Sequence, residues 1–378
     1  MRITMNRPVI VSFIGIAVAG ITFGLVGPVT VILLETHHAP GWITGAITTM
    51  LYVSVVLFSS FTGRLVDRYK TRRVLGTGFI LVFLCSLASI WWDNYYIIFP
   101  ARFISGIGST FIFVTTEVIV NASSDETNRG RNISGYVVFL SIGIALGTFL
   151  IWTVNIAEWV PFVIGSAMIL LAFVFEALHL DEIELQSKEE RVREKMPFLL
   201  MPPAALLSAG IYGVYEASLM VVIPLFALRS GFSQNDVAYF LSAFVTGGIL
   251  LLYVIGRLSD RIQKYTMLLL ISAFLTVFLS GVFLWLNTWY LILVFFMLGG
   301  VVPAFYSVGL AYTIEKVETQ YMAQANGHFA RAYGIGTILG PLSGSFLLEL
   351  NLRYSFWAAA ALLSLIFFLY FSFVYREK

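Results

Sequence analysis

Apolar residues gather into twelve runs, and polar residues crowd into the gaps between them. Each run is close to the roughly 20 residues that an α-helix needs to cross a hydrocarbon core. They lie near residues 9–34, 42–62, 74–92, 95–120, 132–152, 158–178, 198–228, 236–256, 266–286, 288–314, 323–348 and 353–375. Within lipid a backbone donor or acceptor has no water to bond, so such runs predict helices that satisfy their own ladders. An even number of crossings puts both chain ends on one face.

Composition agrees with this reading and adds an orientation. Of 378 residues 59% are apolar and 12% charged, against about a quarter charged in an ordinary soluble domain. The net charge of +2 decides little, because the placement of the cations carries the information. One face takes both termini and every loop after an even-numbered run. Of the 23 Lys and Arg, only Arg229 and Arg353 fall on the opposite face, with Arg102 inside a span and Arg331, early in the eleventh run, counted with the rich face. By the positive-inside rule the rich face is cytoplasmic. The chain is therefore expected in a plasma or inner membrane with both termini inside. The run after Arg7 is far longer than a signal core and reads as the first spanning helix. A single cysteine, Cys85, excludes a disulfide within the chain.

The stretch GRLVDRYKTRR, Gly63 to Arg73, carries five cations and the carboxylate of Asp67, and GRLSDR at Gly256 to Arg261 nearly repeats it 193 residues later. Other positions obey the same offset. Gly143 and Gly147 fall on Gly336 and Gly340, and Gly106 falls on Gly299. Small residues at such spacings let helices pack closely in lipid. The fold class expected is an all-α membrane protein of twelve transmembrane helices in two pseudo-symmetric six-helix bundles. The bundles are placed at residues 1–178 and 198–378, and the hydrophilic linker 179–197 reads as a solvated tether.

Gly-Arg-Leu-x-Asp-Arg after the second span resembles the signature loop of the major facilitator superfamily of secondary transporters. In that family the loop joins helices two and three, recurs between helices eight and nine, and serves as a cytoplasmic latch. The resemblance implies gate roles for Gly63, Asp67, Arg68, Gly256, Asp260 and Arg261. Physically, glycine lets helix ends approach, and an aspartate can accept from a helix N-terminus. The pattern departs at Lys70 and Thr71, where Arg72 or Arg73 stands in for the family's usual arginine. Slightly further along span four than Glu117 the family usually carries an acid of the latch network, where this chain has Asn121. Glu117 or Asp125 then takes the latch role with Arg129 and Arg131, or Glu117 belongs to substrate or proton binding. The segment TEVIVN is similar to a bacterial subgroup, and the whole resembles proton-coupled permeases of the drug/proton antiporter kind.

Arg102, Ser105, Gly106 and Gly108 resemble the family's fourth-helix pattern, whose arginine is linked to proton coupling. A guanidinium within a span costs at least about 2.5–3.5 kcal/mol, so it should face protein or a wet cavity, or else reach back to the interface. Ser105, Gly106, Ser109, Thr116 and Glu117 share its face of the helix. Glu117 is about 22 Å along the axis from Arg102, too far to pair. Glu216, near the middle of span seven with Tyr212 one turn below, is the sharper candidate for a proton or a cationic substrate. A carboxyl at that depth is costly when ionised, which favours holding a proton until the site opens to water. Under the offset Arg102 meets Phe295, Glu117 meets Leu310 and Glu216 meets Phe23. A structural need common to both halves would predict counterparts, so the unmatched charges point to tasks.

Gly336, Gly340, Pro341 and Gly344 form a Gly-x-x-x-Gly-Pro-x-x-Gly pattern that resembles the family's exporter signature of helix five, here in helix eleven. It predicts close packing and a bend. His37, His38, His179 and His328 lack metal spacing, and no phosphate loop or nucleophile motif occurs. The chain is thus expected to be no enzyme, with no metal or cofactor and no nucleic-acid partner. It is expected as a monomer that works with a small-molecule substrate, protons and the lipid bilayer. The expected function is proton-coupled movement of a small amphipathic or apolar organic solute by alternating access, export favoured. Uptake of a small solute is the alternative, followed by a lipid-handling enzyme or a non-transporting sensor.

Overall fold

Proline near the start of α1 (Arg7–Thr36), α6 (Val160–His179) and α7 (Pro203–Arg229) fits a first turn whose N–H groups lack helical partners. Asn94 caps α4 (Tyr95–Ala122) by accepting from the Tyr96 N–H at 3.1 Å. The remaining helices are α2 (Gly41–Arg68), α3 (Thr71–Ala88), α5 (Arg129–Phe149), α8 (Gln234–Ser259), α9 (Lys264–Trp285), α10 (Leu291–Lys316), α11 (Met322–Glu349) and α12 (Ser355–Arg376). This computed structural model describes residues 6–125, 128–182, 201–259, 261–285, 288–350 and 354–376. Among them, eleven helices are long and apolar enough to cross a membrane. The exception is α11, whose first half carries Gln324, Asn326, His328 and Arg331.

The chain forms two compact units. One comprises residues 1–38 and 50–189, the other residues 39–49 and 190–378. In the first, α1 packs mainly on α5 and α6, and α3 packs on α4 and α6. Val9, Phe13 and Ile16 of α1, Phe79 of α3, Ile112 of α4 and Ile169 of α6 build its core. In the second, α7 packs on α11, α8 on α10 and α9 on α12. The opening turns of α2 belong with this second unit. A Cβ at Gly45 would stand 2.7 Å from the Pro341 carbonyl and closer still to Ser345 Oγ.

The offset of 193 residues governs contacts as well as sequence. A Cβ on Gly20 of α1 would lie 2.7 Å from the Leu140 carbonyl and 3.0 Å from the Gly143 Cα of α5. The equivalent Gly213 of α7 faces the Tyr333 carbonyl and Thr337 N of α11. Gly143 abuts the Ala17 carbonyl as Gly336 abuts that of Gly210, and Gly147 abuts that of Ile21 as Gly340 abuts that of Val214. Gly106 against Leu51 and Gly299 against Phe244 repeat the pattern between even-numbered helices. Even the turn after the first helix of each unit matches, with left-handed His38 (φ 59°) in one and Gly231 (φ 87°) in the other.

The Gly63–Arg73 segment differs from the loop expected of it. Helix α2 runs on through Arg68 and α3 begins at Thr71, so only Tyr69 and Lys70 connect them. Arg64 and Arg68 sit in the last turns of a helix because long basic side chains keep their charge in water while the ladder continues. Arg64 lies over the Phe61 ring at 6.0 Å, and Arg257 of the second copy over Tyr253 at 4.8 Å. Gly63 and Gly256 do not mediate a close approach here, since a Cβ at either would meet nothing within 4 Å among the described residues. The linker expected at 179–197 falls mostly on residues 183–200, outside the described residues.

Candidate functional site

Helix α7 carries Tyr212 and Glu216 one turn apart, and α10 and α11 bring tyrosines to meet them. Tyr333 Oη donates to Glu216 Oε2 at 2.8 Å. Tyr212 stacks on Tyr333 with ring centroids 5.2 Å apart and planes 17° from parallel. Tyr306 of α10 closes the group, 5.3 Å from Tyr212 and 5.6 Å from Tyr333, with Phe329 behind it at 5.1 Å. Helix α11 can come this near because Gly213 and Gly336 carry no side chain at the crossing. Glu216 and the three tyrosines are half-buried. The arrangement holds one carboxylate on a phenol within an aromatic wall, a group that can take up a proton or face a cation.

The first unit shows what this position looks like without such a group. Under the offset Glu216, Tyr306 and Tyr333 correspond to Phe23, Phe113 and Leu140. These three pack against the apolar core of the first unit, with the Phe23 and Phe113 rings 5.0 Å apart. Hydrocarbon alone therefore satisfies the packing between these helices. The acid and the two phenols replace it in one unit only.

Arg102 is 7% exposed and does not reach the interface. Its Nη2 donates to the Val26 carbonyl at 3.1 Å, to Thr30 Oγ1 at 2.6 Å and, at 3.4 Å, to the Gly27 carbonyl, all on α1 about Pro28. Its Nε has no partner among the described residues. Arg102 thus braces α4 against the proline-containing turn of α1. Arg102→Gln is expected to lower the melting temperature of the purified protein, since hydrogen bonds from a charged donor are worth about 1.5–3 kcal/mol. Arg102→Lys should recover only part of the loss, because one ammonium cannot reproduce the guanidinium fork. Unchanged melting of Arg102→Gln would count against the brace.

Glu117 is exposed near the end of α4, makes no hydrogen bond among the described residues and does not meet Arg102. Arg129 and Arg131 open α5, exposed and without an ion pair among those residues, and Asp125 accepts from Asn128 at 3.3 Å. Arg68 and Arg261 are exposed as well. Asp260 and the side chain of Asp67 lie outside the described residues. Arg72 donates through Nη2 to the Ala177 carbonyl of α6. In α11, Pro341 and Gly344 are buried, with Gly344 facing Val222 of α7. Among the described residues no three His, Cys, Asp or Glu lie close enough to hold a metal ion.

Sequence reasoning passed over Glu176 of α6. It is 3% exposed, and neither carboxyl oxygen has a partner among the described residues. It fits a notch left by Gly15 of α1, where a Cβ would collide with its carboxyl group. The offset test carried a usable signal, because Glu176 falls on Leu369 and is unmatched like the other three charges.

Comparison with known proteins places this architecture. The Major Facilitator Superfamily profile matches residues 12–288 and 205–378. The uncharacterised MFS-type transporter YfkF of Bacillus subtilis is 27% identical over 342 residues, which cover 88% of this chain and 87% of that one. The uncharacterised MFS-type transporter YcaD of Escherichia fergusonii is 25% identical, covering 91% and 90%. Among solved structures, a point mutant of the nucleoside transporter NupG shares the fold with a TM-score of 0.80 at 15% identity, over 97% of this chain and 98% of that one. Twelve helices in two repeated sets of six, a profile match along nearly the whole chain and relatives of matching length agree: this chain is a multi-pass membrane transporter of the Major Facilitator Superfamily.

Proposed function

We propose that the protein is a proton-coupled secondary transporter that exports a small amphipathic or apolar organic solute across the cytoplasmic membrane, with both termini inside. The observation that supports this reading is the Glu216–Tyr333 hydrogen bond within the Tyr212–Tyr306–Tyr333 cluster, set where the other unit holds Phe23, Phe113 and Leu140. An acid within a span is costly and is kept where it moves or binds something. Protonated, Glu216 is a neutral hydrogen-bonding group; ionised, it is a charge that favours a water-filled or cation-filled surrounding. Exchange between these forms couples proton uptake to the alternating-access cycle. Phenol rings around it offer both an apolar face and a polar edge to an amphipathic solute. Asp67, Arg68, Asp260 and Arg261, with Glu117, Arg129 and Arg131, form the latch on the loop side in this reading. Arg102 fixes the α1–α4 crossing within the first bundle.

The reading is tested in proteoliposomes containing the full chain and an internal pH-sensitive dye, challenged with a panel of fluorescent amphipathic cations and neutral dyes. At least one is expected to move only with a pH gradient and to carry protons in exchange. Movement that ignores the gradient for every compound that crosses, or no movement at all, would contradict proton-coupled export.

A further inference from the structure

The loop-side ends of α3 and α6 flank an open cavity of about 480 Å³ within the first unit. Its polar end is made by Arg72 and Arg73, in the opening turn of α3. Its apolar wall continues one to two turns deeper through Phe79 and Ile80 of α3 and Phe173 of α6. Ile80 is 47% exposed, so the wall opens outward along the helix, toward the lipid that surrounds a membrane-spanning bundle. The Phe79 and Phe173 rings pack against each other at 6.2 Å as its floor, with Phe79 itself buried.

The charges around the cavity are unbalanced. Among the described residues Glu176 is the one acid on its wall, and its carboxyl group is turned into the Gly15 notch on α1, out of reach of water. Two further acids stand nearby but off the cavity lining: Asp181 lies 3.8 Å from Arg7, and Glu182 accepts from Thr71 at 3.2 Å, beside Arg72 at the start of α3. Arg72 spends one donor on the Ala177 carbonyl, and neither guanidinium has a carboxylate within ion-pair distance among the described residues. The N-terminal end of α3 adds its positive dipole to the same spot. The accessible polar lining is thus cationic, fork-shaped and rich in donors, next to a slot of hydrocarbon that leads down the helix. Basic pockets between spanning helices at the membrane surface suit phosphorylated lipid headgroups.

We propose that this α3–α6 cavity binds one anionic phospholipid, its headgroup phosphate on Arg72 and Arg73 and an acyl chain along Gly76, Ile80 and Phe173. Bound there, the lipid ties the first turn of α3 to the last turn of α6. The proposal needs only the membrane embedding that the family establishes and nothing of the proton-coupling reading, so the two stand or fall separately.

The test uses the full chain, delipidated in neutral detergent and examined by native mass spectrometry with added phosphatidylglycerol, phosphatidylcholine or inorganic phosphate. Wild type is expected to retain one phosphatidylglycerol in preference to phosphatidylcholine. Arg73→Gln, which breaks no contact within the described residues, should weaken that retention by about fivefold, and Arg72→Gln with Arg73→Gln by more. Inorganic phosphate should not displace the lipid. Equal retention of phosphatidylglycerol by wild type and Arg73→Gln, equal retention of phosphatidylcholine, or displacement by phosphate alone would each overturn the proposal.

Discussion

Glu216→Gln is expected to reduce gradient-driven transport to background while the protein still folds and inserts. Glutamine keeps the size of the side chain and a carbonyl oxygen that can accept from Tyr333, so the tyrosine cluster and the α7–α11 crossing remain. What the variant loses is the ability to exchange a proton. Melting temperature and expression should therefore stay close to wild type, and only the dependence on the pH gradient should vanish. Solute equilibration without a gradient can persist, because binding to the aromatic wall does not need the charge. Tyr333→Phe serves as a graded companion: it removes one hydrogen bond but leaves the acid, so transport should slow without losing its coupling. If Glu216→Gln retained wild-type, gradient-dependent transport, Glu216 would be a structural acid and the coupling group would lie elsewhere.

The second large effect is structural. Gly143→Val and Gly336→Val should each lower thermal stability strongly, and by similar amounts. A Cβ at either position would come closer than 3.0 Å to a backbone carbonyl on the facing helix, Ala17 in one unit and Gly210 in the other. Backbone cannot rotate away as a side chain can, so the helices must separate and lose contacts along their whole crossing. Overpacking of this kind costs about 1–3 kcal/mol and sometimes more. The lipid-facing state offers little in return, because packing rather than water exclusion holds such helices together. Gly63→Val is the control, for a Cβ there meets nothing within 4 Å among the described residues. Its melting temperature in detergent should match wild type. If Gly63→Val destabilised the protein as much as Gly143→Val, close approach would not be what these glycines provide.

Much of this molecule could be read without coordinates, for identifiable physical reasons. Each crossing demands a long apolar run, and the twelve runs became α1 to α12. Their ends were harder to place. Hydropathy marks where lipid stops, not where a ladder of hydrogen bonds stops, so α2 continues through Arg64 and Arg68 beyond its apolar run. The offset of 193 residues was legible because helix crossings in lipid require small residues at fixed places, and the same glycines meet the same partners in both units.

The site divides in the same manner. Glu216 stood out because a charge in a span has no cheap structural excuse. Tyr306 and Tyr333 did not, since tyrosine passes for an apolar residue along a helix and its role here comes from three helices meeting. Glu176 escaped notice because it sits in the last turn of α6, where a charge reads as interfacial. Only the tertiary fold shows it turned inward against Gly15.

The most direct measurement is proton release on solute binding by the purified protein in weakly buffered detergent, using any compound that raises its melting temperature. The account predicts that wild type releases protons when such a compound binds, and that Glu216→Gln binds the compound with no release. Equal release from both proteins, or binding to wild type with no change in pH, would contradict it.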